Sequence, residues 1–148
     1  MKKFCLVLFL IFPLALFSQS YVPQKPPLLF SLNINDLRTI FTSKNSLVKM
    51  SDKEIVEIDK IISQRKEEFY ILKEKGKKSI PYGENGLPIG KVDPEIKRES
   101  NTLTDEVCTS IYKILGEKRY EQFDRTLMNE SARRNMERMN KAMKNKKK

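Results

Sequence analysis

Few side chains in this chain are equipped for bond-making chemistry. No histidine occurs in its 148 residues. That removes the commonest general base, the usual zinc ligand and any imidazole-centred triad. Cys5 and Cys108 are the only thiols. A nucleophilic Cys108 would need a neighbouring base or a cationic field to form its thiolate. Set within an apolar helical pattern, it is expected in the core instead. Glu67, Glu68 and Asp93 are available for acid–base work. Adjacent Glu67 and Glu68 point to different helix faces, however, and nothing pairs either with a second carboxylate across a cleft. They read as a solvated charged surface. Neither G-x-G-x-x-G nor G-x-x-x-x-G-K-[ST] occurs, so no phosphate cradle is expected. The chain reads as a protein without enzymatic activity and without a cofactor.

Two groupings are suited to binding. Met128, Met136, Met139 and Met143 recur along one side of a helix. Thioethers suit Cu(I), but methionines at helical spacing more commonly form an adaptable contact surface, and no metal is expected. Around them lie Arg133, Arg134, Arg138 and Lys141, in a basic strip that continues to Lys148. Such strips adhere to anionic membranes, nucleic acid or acidic proteins. The strip has no aromatic residue to stack on bases, and the export signal described below argues against genomic DNA. Protein partners, unfolded clients and anionic envelope surfaces are therefore the expected partners, and nucleic acid is not.

The elements that must position these residues begin after an export signal. Lys2 and Lys3 precede the apolar run Phe4 to Phe17, and Ser18-Gln19-Ser20 supplies small residues for cleavage. The run is shorter than the ~20 residues of a spanning helix. Cleavage after Ser20 is expected, placing the chain in the periplasm or outside the cell. The formal net charge of +10 then falls to +8, and Arg133 to Lys148 carry +7 of it. The basicity belongs to one end.

Residues 21–32 form a Pro-rich linker, with Pro23, Pro26 and Pro27 favouring extended backbone. A helical domain over 33–132 follows, and 133–148 is a basic tail whose last residues, from Lys144, are expected to be disordered. A short helix opens at Asn33 or Asn35 with Ile34, Leu37, Ile40 and Phe41 on one face; a strand through Phe30, Leu32 and Ile34 competes with it. Ser51 and Glu54 form a capping box for a helix reaching Lys75, and Gly76 is positioned to stop it. Its stripe is Ile55, Ile58, Ile62, Phe69 and Leu72, widened by Ile61 and Ile71.

Gly76 to Asn101 reads as one long loop. Asn85-Gly86 signals a turn, but Pro81 and Pro88 demote a hairpin there. Ile80, Tyr82, Leu87, Ile89 and Val92 are expected to hold the loop down on the helices. Thr104 caps a third helix bearing Val107, Cys108, Ile111, Ile114 and Leu115. Gly116 ends it, and Glu117 opens a fourth with Tyr120, Phe123 and Leu127. The fold expected is all-α: a small bundle of about four helices with a long Pro/Gly-containing loop and a basic C-terminal helical extension.

Leu103 to Ile111 and Leu115 to Phe123 echo each other at an offset of twelve, each a leucine, a cap position and then an acid. In a small, basic, mostly helical exported chain, this pair resembles the Spy/CpxP family of periplasmic proteins, marked by a twice-used L-T-x-x-Q motif. Leu103-Thr104 matches the first copy. Val107 and Arg119 stand where that family has glutamine, and Gly116 replaces the second threonine, so no functional residue carries over. The resemblance implies a helical, often homodimeric cradle that binds unfolded or partner proteins without ATP.

Overall fold

Residues 25–145 are described by a computed structural model. The expected export signal over 1–20, residues 21–24 of the expected linker and Lys146 to Lys148 lie outside them. The described chain is all-α: a 3-10 turn at Leu29–Ser31 and four helices, α1 (Ile34–Thr42), α2 (Asp52–Lys78), α3 (Pro94–Leu115) and α4 (Glu117–Asn145). No helix among the described residues is long and apolar enough to cross a membrane.

Local chemistry sets most helix ends. Asn33 Oδ1 accepts from the backbone N–H groups of Asn35 and Asp36 at 2.9 and 3.0 Å, while Asp36 accepts from Asn33 N–H at 3.2 Å. Ser51 and Glu54 do the same for α2. Each box satisfies orphan donors and contributes about 1 kcal/mol. Gly76 does not stop α2. The helix runs on to Lys78, and Gly76 is buried within it. A Cβ at Gly76 would lie 3.2 Å from Val92 Cγ1, so this glycine admits the returning chain.

α3 starts ten residues before Thr104. Asp93 caps it by accepting from Glu95 N–H at 2.8 Å, and Pro94 takes the first helical position. The stretch from Ile96 through Ser100 and Leu103 to Val107 keeps helical spacing, which the polar side chains between them obscure. Thr104 therefore sits mid-helix, its hydroxyl donating back to Ser100 C=O at 2.7 Å. The two echoed segments are not two helix starts.

α2 and α3 run antiparallel: Gly76 lies against Ile96, and Arg65 pairs with Glu106 at 2.6 Å. Ile55, Ile58 and Ile62 of α2 meet Val107, Cys108, Ile111 and Leu115 of α3 in one core. α1 and α4 cover it, with Phe41 stacked on Phe123 at 5.1 Å between ring centres. Ile61 is half-buried, whereas Ile71 is half-exposed and does not widen the stripe.

The segment expected as a linker joins the core from its second half onward. Leu29, Phe30 and Leu32 are buried, and Phe30 stacks on Phe69 at 4.1 Å. The competing strand does not form. Instead, α2 satisfies the carbonyls left free: Lys66 Nζ donates to Leu32 C=O at 2.9 Å and Tyr70 Oη to Phe30 C=O at 3.2 Å.

The α2–α3 connection forms no strand among the described residues, in keeping with its prolines; one isolated bridge, Tyr82 with Pro88, closes it into a short hairpin-like turn. Gly83 N–H donates to Leu87 C=O and Ile89 N–H to Pro81 C=O, both at 2.9 Å, with Gly86 at φ +72° in the turn. Every donor used is a non-proline residue, so the missing proline N–H groups cost nothing. It does not pack down as expected: Tyr82, Leu87 and Ile89 are 58, 61 and 71 % exposed, and only Ile80 and Val92 are half-buried.

Gly116 joins α3 to α4 at φ +74°, ψ +167°, donating to Tyr112 C=O and accepting from Tyr120 N–H. Nearby, Arg119 of α4 grips Glu54 of α2 at 2.6 Å and Lys49 C=O at 3.0 Å. Hydrogen bonds from Arg119, then from the Ser51 backbone, hold the Glu54 carboxyl down at about 2.

Two predictions follow from this corner. The Gly116 conformation is essentially closed to residues with a Cβ, so Gly116→Ala should lower unfolding free energy by about 1–3 kcal/mol in urea titrations with helix content retained. Because Glu54 is depressed on folding, its contribution is present above pH 4.5 and is lost as pH falls toward 2. Glu54→Gln should flatten that limb of the stability–pH curve, measured as urea midpoints between pH 5 and 2.

Candidate functional site

The eight side chains singled out on α4 divide into two groups. Arg133 donates to Glu130 at 2.6 and 2.8 Å and also pairs with Glu137. Arg134 donates to the same Glu130 at 2.7 Å and, through Nη2, to Asp36 of α1 at 2.9 Å. These two arginines were expected to meet partners, but they are engaged within the chain. Glu130 is 13 % exposed at its side chain, and hydrogen bonds from Arg133 and then Arg134 hold its carboxyl at about 2. Arg134 thus clasps α4 to α1.

Beyond the clasp the helix leaves the body. Residues 135–144 are all exposed, about 15 Å of helix at 1.5 Å per residue. Met136, Met139 and Met143 are 60, 65 and 54 % exposed, and Met128, before the clasp, is 53 % exposed. At 100° per residue the four methionines fall within about 80° of one another, on the side away from the core residues Tyr120, Phe123 and Leu127. Arg138 and Lys141 make no ion pair among the described residues. They follow Leu127 by 11 and 14 residues, within about 40° of its direction. The line that faces the core thus turns cationic where the core ends. The projecting end of α4 therefore carries Met136, Met139 and Met143 on one face and Arg138 and Lys141 on the opposite one; Met128 shares the methionine face but lies before the clasp, and Arg133 and Arg134 are held in the clasp itself.

Three other places could hold chemistry. A cleft of about 650 Å³ between α1 and α4 is lined by Asn33, Asp36, Thr39, Asn129, Glu130 and Arg134 among others. General acid–base catalysis works best with a pKa near the working pH. Glu130 is held far below that, as the anion of an ion-pair clasp. Cys108 is fully buried and free, and burial pushes its thiol up, which keeps it protonated and shielded. The third place is a groove of about 790 Å³ between the last turns of α2 and the first turns of α3, floored by apolar side chains and rimmed by Lys73, Lys77, Lys91 and Lys97. Sequence reading missed it because Gly76 looked like a stop signal and residues 94–101 looked like loop.

The chain matches no protein-family model, and no similar curated protein or solved structure was found.

If Glu130 is the clasp, Glu130→Ala should loosen only the end of α4. Amide exchange over 130–145 should accelerate roughly fivefold, equivalent to about 1 kcal/mol, with α2 and α3 unchanged. The clasp should hold from neutral pH down to about 4.5 and open as pH falls toward 2, since its carboxyl is depressed in the fold.

Proposed function

We propose that this chain is an exported, non-enzymatic binding protein. It engages protein partners, unfolded clients among them, through the methionine face and basic flank at the end of α4. The observation that carries this reading is that α4 outruns its last contact with the body, the Arg134–Asp36 pair, while still carrying Met136, Met139 and Met143 exposed. Unbranched thioether side chains adapt to partners of many shapes, as a surface for varied unfolded chains must. Arg138 and Lys141 add long-range attraction to acidic segments and to anionic envelope surfaces. On this reading the protein works without ATP and as a homodimer, which is what the Leu103-Thr104 resemblance to the Spy/CpxP family implies.

A second reading has its own support. Leu87 and Ile89 are 61 and 71 % exposed at the tip of the α2–α3 hairpin. A structural subunit of an envelope assembly would dock there, on one stable partner.

The expected outcome is suppression of aggregation of a chemically unfolded client by equimolar protein without ATP, followed by light scattering. Met136→Ser, Met139→Ser and Met143→Ser combined should remove most of it, since each loses up to about 1 kcal/mol of apolar contact. Arg138→Glu with Lys141→Glu should reduce the salt sensitivity of the remainder. No suppression by the wild type would overturn the chaperone-like reading. Capture of one stoichiometric partner, lost on Leu87→Ser with Ile89→Ser, would favour the subunit.

A further inference from the structure

We propose that the groove between the C-terminal turns of α2 and the N-terminal turns of α3 binds a single-chain amphiphile with an anionic head group. The proposal is independent of the α4 surface and shares no residue with it.

The groove is built to be both apolar and cationic. Phe69, Leu72, Ile80, Val92 and Ile96 supply its floor and walls. Gly76 lets the returning chain close on α2: a Cβ there would meet Val92 at 3.2 Å and Ile96 at 3.7 Å, so these two side chains wall the groove directly against the helix backbone. Lys73, Lys77, Lys91 and Lys97 ring it, and no aspartate or glutamate lies among its lining residues. Lys77 is matched by Glu74 at 2.6 Å, and Lys73 sits 5.8 Å over the Tyr70 ring. Lys91 and Lys97 make no ion pair among the described residues. The field at the mouth is therefore positive and only partly compensated, above a floor that water solvates poorly. A carboxylate or phosphate at the rim with an acyl chain below answers both features.

Size selects a small ligand over a protein. A standard protein interface draws on 20–30 residues a side, whereas 14 line this groove. Its volume of about 790 Å³ lies within the ~300–1,000 Å³ of small-molecule sites. A docked helix, about 10 Å across, would meet the lysines and leave the floor largely uncovered.

The test is calorimetric titration of the chain as isolated from the expressing cell with laurate, below its micelle concentration. One laurate should bind per chain, and affinity should rise two- to fourfold per methylene from octanoate to laurate. Dodecyl maltoside, with the same chain and an uncharged head, should bind at least tenfold more weakly. Lys91→Glu with Lys97→Glu should weaken laurate at least tenfold. Both positions are exposed and outside ion pairs, so the fold is undisturbed. Lysophosphatidylglycerol binding more tightly than laurate would support the site and assign a membrane lipid as its source; the reverse order would support it and assign free fatty acid. Absence of laurate binding, equal affinity for maltoside, or wild-type affinity in the double lysine variant would overturn the proposal.

Discussion

Ile55, Ile58 and Ile62 on one side of α2 form a stripe that cannot stay in water, and the rest of the molecule is arranged to cover it. A lone helix gains too little from its own hydrogen bonds to hold such a stripe in place. α3 supplies the first cover through Val107, Cys108, Ile111 and Leu115, returning antiparallel along the same side. α1 and α4 close the remaining flanks, and they meet each other in the Phe41–Phe123 stack and the Arg134–Asp36 pair. Even the segment before α1 is recruited, because Phe69 lies partly beyond the reach of α3 and Phe30 covers it. Eleven large apolar side chains stay exposed all the same among the described residues, and where they gather on one face they mark a surface for contact.

Charge then works at the margins of that core. Glu54–Arg119 fixes where α4 departs from α2, and Glu130–Arg134–Asp36 fixes where α4 stops following α1. Exposed pairs of this kind add little stability individually, but they decide geometry where apolar contact is thin. The carboxylates involved are hydrogen-bonded in their charged form, which ties these joints to solution pH more tightly than the core itself. The interior also holds one carboxyl, Asp124, which burial pushes up, so acid acts on the molecule both at these ionic joints and inside.

How much of this could be read from the sequence depends on the range of the interaction. The Ser51–Glu54 box and the Asn33 cap are local, within three residues, and were legible. The isoleucine stripe was legible because its period is helical. Gly76 was ambiguous for a physical reason: the same missing side chain permits a left-handed stop or a close approach, and only Val92, sixteen residues on, decides between them. The start of α3 was masked by a second plausible cap at Thr104, although Asp93-Pro94 carried the stronger signal. The engagement of Arg134 was illegible, since its partner Asp36 lies 98 residues away. Phe30 was misjudged because nearby prolines suggested a linker, and an extended segment can still be buried where a lysine and a tyrosine satisfy its carbonyls.

The α4 stripe and the α2–α3 groove differ in what limits them, and with it in the kind of partner each would suit. On α4 the core-facing line passes from Leu127 to Arg134, Arg138 and Lys141, so the helix loses its reason to stay against the body while its charge keeps it from collapsing back. The methionines opposite are convex and unbounded, which suits long or irregular partners. At the α2–α3 end the apolar surface is concave and enclosed by lysines on every element that lines it. Its capacity is set by the walls that Phe69, Leu72, Val92 and Ile96 supply, and its mouth selects by charge. A convex stripe rewards adaptable, extended contact, whereas a bounded groove rewards a ligand of fixed length and one sign of charge. A single small bundle can serve both because the core that supports them is shared while the surfaces share no side chain.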